Sequence, residues 1–193
     1  YGIALYCRAM KASPTLSVVD LVVLGILMDE PMNAYRLAQH VDQRQLGRLV
    51  KLSKPAIYKS CRRLGAAGCL IGKAVRETEA PEKVVYSVNK TGKKHFRELM
   101  LHFSKHINPF HFEFNSFIWN LHRLDRAEGL RMLETLQAEL VELRRWLVIH
   151  EKEDVSKAGF GPRMVVKQYR MVVTTLVQWI EETIEEYRQT SGG

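Results

Sequence analysis

Basic and hydroxyl side chains cluster in one short stretch of this sequence, between Ser53 and Arg63. If the stretch is helical, Tyr58, Lys59 and Arg62 share one face, because successive residues are about 100° apart. The opposite face carries the apolar residues Ile57, Cys61 and Leu64. Arginine can bind guanine or phosphate, lysine attracts phosphate, and tyrosine can donate to a backbone oxygen. The stretch predicts contact with a phosphate polyanion, although basic helix faces are often merely solvated.

The positive charge of the chain is confined to its first half. The net charge is +8; residues 1–108 contain 18 basic against 8 acidic residues, and residues 109–193 contain 11 against 13. Each phosphate neutralised by a protein releases counterions and adds affinity that does not depend on sequence. We therefore expect a nucleic acid to bind the first half. A solvated basic surface without a partner is the alternative.

Enzyme and cofactor chemistry has little support. The sequence has no GxSxG, HExxH, P-loop or GxGxxG motif, so we predict that the protein is not an enzyme. Cys7, Cys61 and Cys69 lack CxxC spacing, which argues against a disulfide framework and a thiolate metal site. We expect no cofactor.

Histidines recur on one predicted helix face. His95, His102 and His106 are seven and four residues apart, and His111 follows. A metal site needs further ligands and supporting groups, and no such cluster is visible. We predict no metal and interpret this face as an ordinary, partly exposed one.

The composition is that of a folded globular protein, with 46% hydrophobic and 26% charged residues. The longest apolar stretch, residues 21–28, is far shorter than the ~20 residues that span a bilayer. Residues 1–10 lack the order of segments found in a signal peptide. We expect a cytoplasmic protein.

Three helices are predicted in the first half. Ser17, Asn33 and Ser53 are candidate N-caps for helices over residues 18–28, 33–47 and 53–67, the second with a frayed end. The apolar face of the second is predicted to contain Tyr35, Leu37, Ala38 and Val41. Pro55 falls in the first turn of the third helix, and Gly68 supplies its left-handed C-terminal residue.

A hairpin and a fourth helix follow. The runs 70–76 and 83–88 are β-compatible, and Asn89 can cap a helix over residues 90–107. This order of elements is that of a winged helix-turn-helix, which places its third helix in the DNA major groove. We predict a mainly α fold with a small β-wing, in which residues 17–108 form the DNA-binding domain after an N-terminal extension, 1–16.

The predicted DNA-binding residues lie on the second and third helices and on the hairpin strands. The hairpin tip contains Glu77, Glu79 and Glu82, which repel phosphate, so we favour the basic residues of the strands over the tip. The predicted set is Tyr35, Ser53, Lys54, Ala56, Tyr58, Lys59, Arg62, Arg63, Lys73, Arg76 and Lys83.

The second half, residues 109–193, is predicted to be an α-helical dimerisation domain. Helices are expected at 112–121, 126–151 and 162–188, the last two folded antiparallel by a turn at 157–161. Each long helix has an apolar stripe with spacings of three and four, and Val172, Val177 and Trp179 widen the second stripe. We expect a second subunit to cover this surface; the alternative is a monomer whose hairpin packs on its own winged helix. The predicted dimerisation residues are Leu133, Leu136, Leu140, Leu143, Leu147, Tyr169, Val173, Leu176, Ile180 and Ile184.

A series of short motifs runs in fixed order through residues 20–100. The motifs are Val23-Leu24-Gly25-Ile26-Leu27, Asn33-Ala34-Tyr35-Arg36-Leu37, Ala56-Ile57-Tyr58, Arg62-Arg63-Leu64, Gly68-Cys69-Leu70-Ile71, and Tyr86 with Asn89 and Gly92. The series resembles that of the PadR-like transcriptional regulators. The resemblance implies a dimeric winged-helix regulator, most often a repressor, with a helical C-terminal domain.

Aromatic side chains crowd the junction between the halves. An interdomain core is the preferred interpretation. Because some PadR-like regulators respond to small aromatic compounds, the resemblance also implies a pocket for such an effector. Its predicted lining is Phe96, Phe103, Phe117 and Trp119. The effector would change DNA binding only if it bound two conformations unequally.

The predicted function is sequence-specific DNA binding by a homodimer on a pseudo-palindromic operator, with repression by occupancy and release by a small ligand as a further hypothesis. A winged-helix protein-interaction module is the main alternative, because the fold does not fix function. An RNA-binding protein ranks below both, since RNP-like aromatic strand motifs are missing from the sequence.

Overall fold

The computed structural model describes residues 16–44, 46–50, 52–76, 83–107, 111–153 and 158–189. The chain divides between residues 108 and 109 into two compact units, called here the N-terminal unit and the C-terminal unit. Helices dominate both units, and a small antiparallel sheet lies in the N-terminal unit. The predicted fold class, mainly α with a small β-wing, is confirmed.

The N-terminal unit follows the predicted order of three helices, a hairpin and a further helix, with two short additions. Its elements are α1 (Val18–Asp29), β1 (Met32–Asn33), α2 (Ala34–Gln43), α3 (Leu46–Leu49), α4 (Lys54–Ala66), β2 (Leu70–Val75), β3 (Lys83–Val88) and α5 (Lys90–Lys105). The third predicted helix is thus α4. The additions, β1 and α3, are too short to show a recognisable sequence period.

Helix starts in this unit are fixed by side-chain caps. Asn33 accepts a hydrogen bond from the backbone N–H of Arg36 at 2.8 Å, and Ser53 accepts one from Ala56 at 3.3 Å. Asn89 caps α5 in the same way. These three predicted caps are confirmed. Ser17 occupies the N-cap position of α1, but its side chain makes no capping hydrogen bond.

The sheet joins both wing strands to the start of α2. Its strand order is β1-β3-β2, and both pairings are antiparallel. In register, Met32 faces Tyr86 and Leu70 faces Val88. The turn between α4 and β2 uses Gly68 at a φ of 68°, the left-handed conformation that favours glycine.

The core of the N-terminal unit is built around α1, which contacts α4, α5 and β3. Fully buried side chains from four helices meet there: Val23, Leu24, Leu37, Ile57, Cys61, Leu64 and Leu99. The predicted inner face of α4 is therefore confirmed. The predicted apolar face of α2 is wrong at one position: Tyr35 is 62% exposed, while Leu37, Ala38 and Val41 are buried.

The C-terminal unit contains an antiparallel pair of long helices. Its elements are α6 (Asn115–Asn120), a 3-10 turn (Leu121–Arg123), α7 (Arg126–Glu153) and α8 (Phe160–Gln189). Partly exposed ion pairs of Arg188 with Glu134 and of Arg170 with Glu151 link α7 to α8. Among the described helices, none is both long and apolar enough to cross a bilayer.

Candidate nucleic-acid interface

A surface cleft of about 380 Å³ opens in the N-terminal unit where α2, α4 and β3 meet. Pairing of Asn33 with Val85 brings the start of α2 against β3. The outer face of α4 forms another wall. The residues that line the cleft are Asn33, Ala34, Tyr35, Tyr58, Arg62, Lys83, Val84 and Tyr86.

The cleft gathers four of the predicted DNA-binding residues, Tyr35, Tyr58, Arg62 and Lys83, from three elements. Tyr35 and Tyr58 are exposed, and the Tyr35 hydroxyl accepts a hydrogen bond from Gln39 Nε2 at 3.0 Å. A guanidinium, an ammonium and two phenol hydroxyls can all donate to phosphate oxygens. The cleft therefore holds donors that suit an anion such as a phosphodiester.

The other predicted residues of α4 differ in how free they are to bind DNA. Lys59 is exposed on the outer face. The Lys54 ammonium lies 2.7 Å from Asp42 Oδ2, and this hydrogen bond raises the pKa of Lys54. Ser53 and Ala56 form the N-cap bond, so both already have a structural role at the helix start.

Arg63 forms an ion pair with Asp20 within the N-terminal unit. Its Nη2 lies 2.6 Å from Asp20 Oδ1 and its Nε 3.1 Å from Asp20 Oδ2. The Ser60 hydroxyl donates to the same carboxylate. The Arg63 side chain is 41% exposed while it makes this pair, and its predicted contact with DNA stays a prediction.

The wing residues lie at one end of the hairpin. Lys73 and Arg76 are exposed on and just after β2, and Lys83 begins β3 opposite Val75. Lys83 reaches the cleft, whereas Lys73 and Arg76 do not line it. The acidic residues Glu77, Glu79 and Glu82 of the predicted tip lie outside the described residues.

None of the described residues that line the cleft is a histidine or a cysteine. In the parts of the chain that are described, no group of three or more His, Cys, Asp or Glu residues could hold a metal ion. The rings of His102 and His106 stack at 4.3 Å, and His106 Nδ1 lies 2.8 Å from the His102 carbonyl oxygen. Burial raises the pKa of the Cys61 thiol to about 11, so the thiol is neutral at ordinary pH.

Most of the predicted dimerisation residues are buried within a single chain. Six of them pack in the interior of the C-terminal unit: Leu133, Leu140, Leu147, Val173, Ile180 and Ile184. Leu136 and Leu176 are partly buried against the same core. These six side chains are covered by their own hairpin, and the dimerisation role of the predicted set stays a prediction. Leu143 and Tyr169 remain exposed.

The four residues of the predicted effector pocket have different surroundings. Phe96 and Phe103 pack against the core of the N-terminal unit, and Phe117 packs against the core of the C-terminal unit. Trp119 is 82% exposed. The effector pocket stays a prediction.

A family model described as the transcriptional regulator PadR-like family matches residues 23–98. A search of curated proteins gives no match.

Several solved structures share the fold over most of the chain. PadR of Bacillus subtilis in complex with operator DNA superposes with a TM-score of 0.75 at 16% identity, covering 89% of this chain and 99% of that chain. PadR of Bacillus subtilis with p-coumaric acid gives 0.70 at 16% identity, over 92% and 99%. The Vibrio cholerae virulence activator AphA gives 0.69 at 18% identity, over 90% and 99%. At these identities the likeness establishes the fold.

Proposed function

Because this chain carries a PadR-like domain, we propose that it is a transcriptional regulator that binds operator DNA. The observation that carries the proposal is the cleft, where Tyr35, Tyr58, Arg62 and Lys83 converge from α2, α4 and β3. Their donors suit a phosphate, and they belong to the half of the chain that holds the excess positive charge.

The cleft also fits the docking geometry of a winged helix. We propose that α4 enters the major groove and that the wing lies along the neighbouring backbone or minor groove. A sugar-phosphate strand separates these two grooves and would have to run between α4 and β3, where the cleft opens. In this arrangement Arg62 and Lys83 hold the backbone, and Lys59 faces the groove.

We propose that the regulator works as a homodimer on a pseudo-palindromic operator. Support comes from apolar side chains that the C-terminal hairpin leaves exposed. They are Met132, Val141, Leu143, Ile149, Met164, Tyr169, Met171 and Val172. This outward set replaces the buried stripe as the proposed contact between subunits, retaining Leu143 and Tyr169 from the sequence prediction.

We propose that the protein acts in the cytoplasm and represses transcription. Repression is favoured because a dimer bound at a promoter blocks polymerase by occupancy alone. AphA of Vibrio cholerae is described as an activator, so a reporter assay has to decide the direction for this chain. Release by a small aromatic ligand is proposed by analogy with Bacillus subtilis PadR, which has been solved with p-coumaric acid.

The test begins with selection of duplexes from a random DNA pool by the full-length chain. Binding of the enriched duplex and of a scrambled duplex is then measured by fluorescence anisotropy over a salt series. We expect the enriched duplex to bind roughly 10³-fold tighter or more, with log K falling by about 0.9 per phosphate contact per decade of salt. Failure to enrich any duplex would contradict the proposal and favour a protein-interaction module.

A further inference from the structure

A carboxylate lies in the first turn of α1, a helix that is otherwise apolar as far as its last residue, Asp29. Asp20 is 3% exposed, and α1 buries Val23, Leu24 and Leu27 on the same face. Burying a charged group is costly unless it is paired and hydrogen-bonded. Asp20 is therefore best explained by what it binds.

Both oxygens of Asp20 are bound by α4. Arg63 contacts the two oxygens with Nη2 and Nε at 2.6 Å and 3.1 Å, and the Ser60 hydroxyl donates to Oδ1. Ser60 is fully buried, whereas the Arg63 side chain is 41% exposed. The three groups form a directional joint between α1 and α4 that runs from the core to the protein surface.

Apolar packing alone would hold α4 less tightly in place. Ile57, Cys61 and Leu64 fill the space between the helices, but apolar contacts are non-directional and tolerate small shifts. A two-point bond between a guanidinium and a carboxylate has a fixed geometry. Such a bond restricts rotation and sliding of α4, on which the outward-facing Tyr58, Lys59 and Arg62 depend.

The same bond changes the charge that α4 presents. Arg63 follows Arg62 directly, and its guanidinium would add to the positive surface if it were free. Pairing with Asp20 neutralises it locally. Because phosphate contacts strengthen binding to any DNA, a neutralised Arg63 limits sequence-independent binding.

From these contacts we propose that Asp20 is a positioning residue for the DNA-contacting face of α4, which raises the preference for operator over other DNA. Asp20 touches no DNA itself and acts through Ser60 and Arg63. The inference rests on the proposed function, since it concerns how the same interface discriminates between DNA sequences.

The experiment compares operator and scrambled-duplex affinities for three variants of the full chain. Asp20→Asn removes the carboxylate charge with little change of shape. Arg63→Lys keeps the net charge of the chain but loses the two-point geometry. Val23→Ala is the matched control, because it weakens the core packing of the same helix and leaves Asp20, Ser60 and Arg63 unchanged. Thermal unfolding of each variant is recorded alongside.

A positioning role predicts a change in the ratio of the two affinities. For Asp20→Asn we expect the ratio to fall roughly tenfold, the scale of one lost charge-assisted hydrogen bond, with scrambled-duplex binding equal or tighter. For Arg63→Lys we expect weaker operator binding and unchanged scrambled-duplex binding. Val23→Ala should lower thermal stability and leave the ratio unchanged.

The contrary results are separable. If Asp20→Asn and Arg63→Lys lower only thermal stability and keep the wild-type ratio, the joint is merely structural and the inference is overturned. If Asp20→Asn does not fold, Arg63→Lys decides alone by the same criterion. A wild-type protein that prefers no duplex would overturn the proposed function, and the inference with it.

Discussion

Each of the two units is stabilised internally by a different kind of contact. In the N-terminal unit, side-chain caps at Asn33, Ser53 and Asn89 fix the helix starts, and the Asp20–Arg63 pair ties α1 to α4. In the C-terminal unit, α7 and α8 meet mainly through aliphatic side chains. Directional bonds thus accompany the proposed binding site, whereas the hairpin depends on non-directional packing.

This difference explains why the first half of the sequence indicates a candidate binding surface more clearly than the second half does. In a helix with one apolar and one basic face, such as α4, the sequence indicates both the core residues and a candidate binding surface. An apolar stripe shows only that a face is covered. The stripe of α7 is covered by α8 of the same chain, so it reveals little about a second subunit.

The largest effect on stability is expected from truncating a core side chain of the C-terminal hairpin. Leu133 is fully buried, so Leu133→Ala should lower the free energy of unfolding by about 2–5 kcal/mol. All three tryptophans, Trp119, Trp146 and Trp179, lie in the C-terminal unit, so urea unfolding followed by tryptophan fluorescence reports this unit.

The matched control is Leu143→Ala, since Leu143 is 40% exposed. It should cost roughly 1 kcal/mol or less at low protein concentration. If Leu143→Ala were as damaging as Leu133→Ala, the division into hairpin core and outward face would be wrong.

Substitution of a helix cap tests how much the side-chain hydrogen bonds stabilise the N-terminal unit. Asn89 accepts from the backbone N–H of Gly92 at 2.9 Å and donates to the Gly68 carbonyl at 2.8 Å. Asn89→Ala should therefore cost about 0.5–2 kcal/mol. Thermal unfolding followed by circular dichroism measures the shift.

The counterpart is Ser17→Ala, because Ser17 makes no capping bond. We expect that substitution to be nearly neutral. Equal losses of stability for Asn89→Ala and Ser17→Ala would contradict the role given to the Asn89 cap.

Salt dependence separates free from paired cations in the N-terminal unit. Lys73 is exposed on the wing, so Lys73→Gln should reduce the slope of log K against log salt by about 1 if the lysine contacts phosphate. Lys54 is already paired with Asp42, so Lys54→Gln should change the slope less. An unchanged slope for Lys73→Gln would remove the wing strand from the interface.

The last expected effect appears only at alkaline pH and concerns the buried thiol of α4. Burial raises the pKa of Cys61 from 9.0 to about 11, so the folded protein favours the neutral thiol. This contribution to stability is present below pH 9.0 and is lost as the pH rises towards about 11. Thermal unfolding at about pH 8 and about pH 10.5 should show a larger drop for wild type than for Cys61→Ala. Equal drops would contradict burial as the cause.

Local features of the fold could be predicted from the sequence. The caps at Asn33, Ser53 and Asn89 could be predicted because each cap residue binds a backbone N–H three residues later. The left-handed turn at Gly68 was predictable for a similar reason.

Contacts between distant residues could not be predicted in this way. The partners of Asp20 are 40 and 43 residues away in sequence, and nothing local indicates them. One signal was available: Asp20 comes three and four residues before Val23 and Leu24, which puts a carboxylate on the apolar face of α1. The cleft likewise depends on β1, whose two residues carry no recognisable strand pattern.

The central claim is that the cleft between α2, α4 and β3 binds operator DNA. The most direct test compares Arg62→Ala, which removes a cleft cation, with Arg97→Ala, which removes an exposed arginine of α5 that does not line the cleft. Fluorescence anisotropy on the selected duplex over a salt series should show weaker binding and a salt slope reduced by about 1 for Arg62→Ala, and much smaller changes for Arg97→Ala. Equal losses would mean that only overall charge matters, and no loss for either would contradict DNA binding at this cleft.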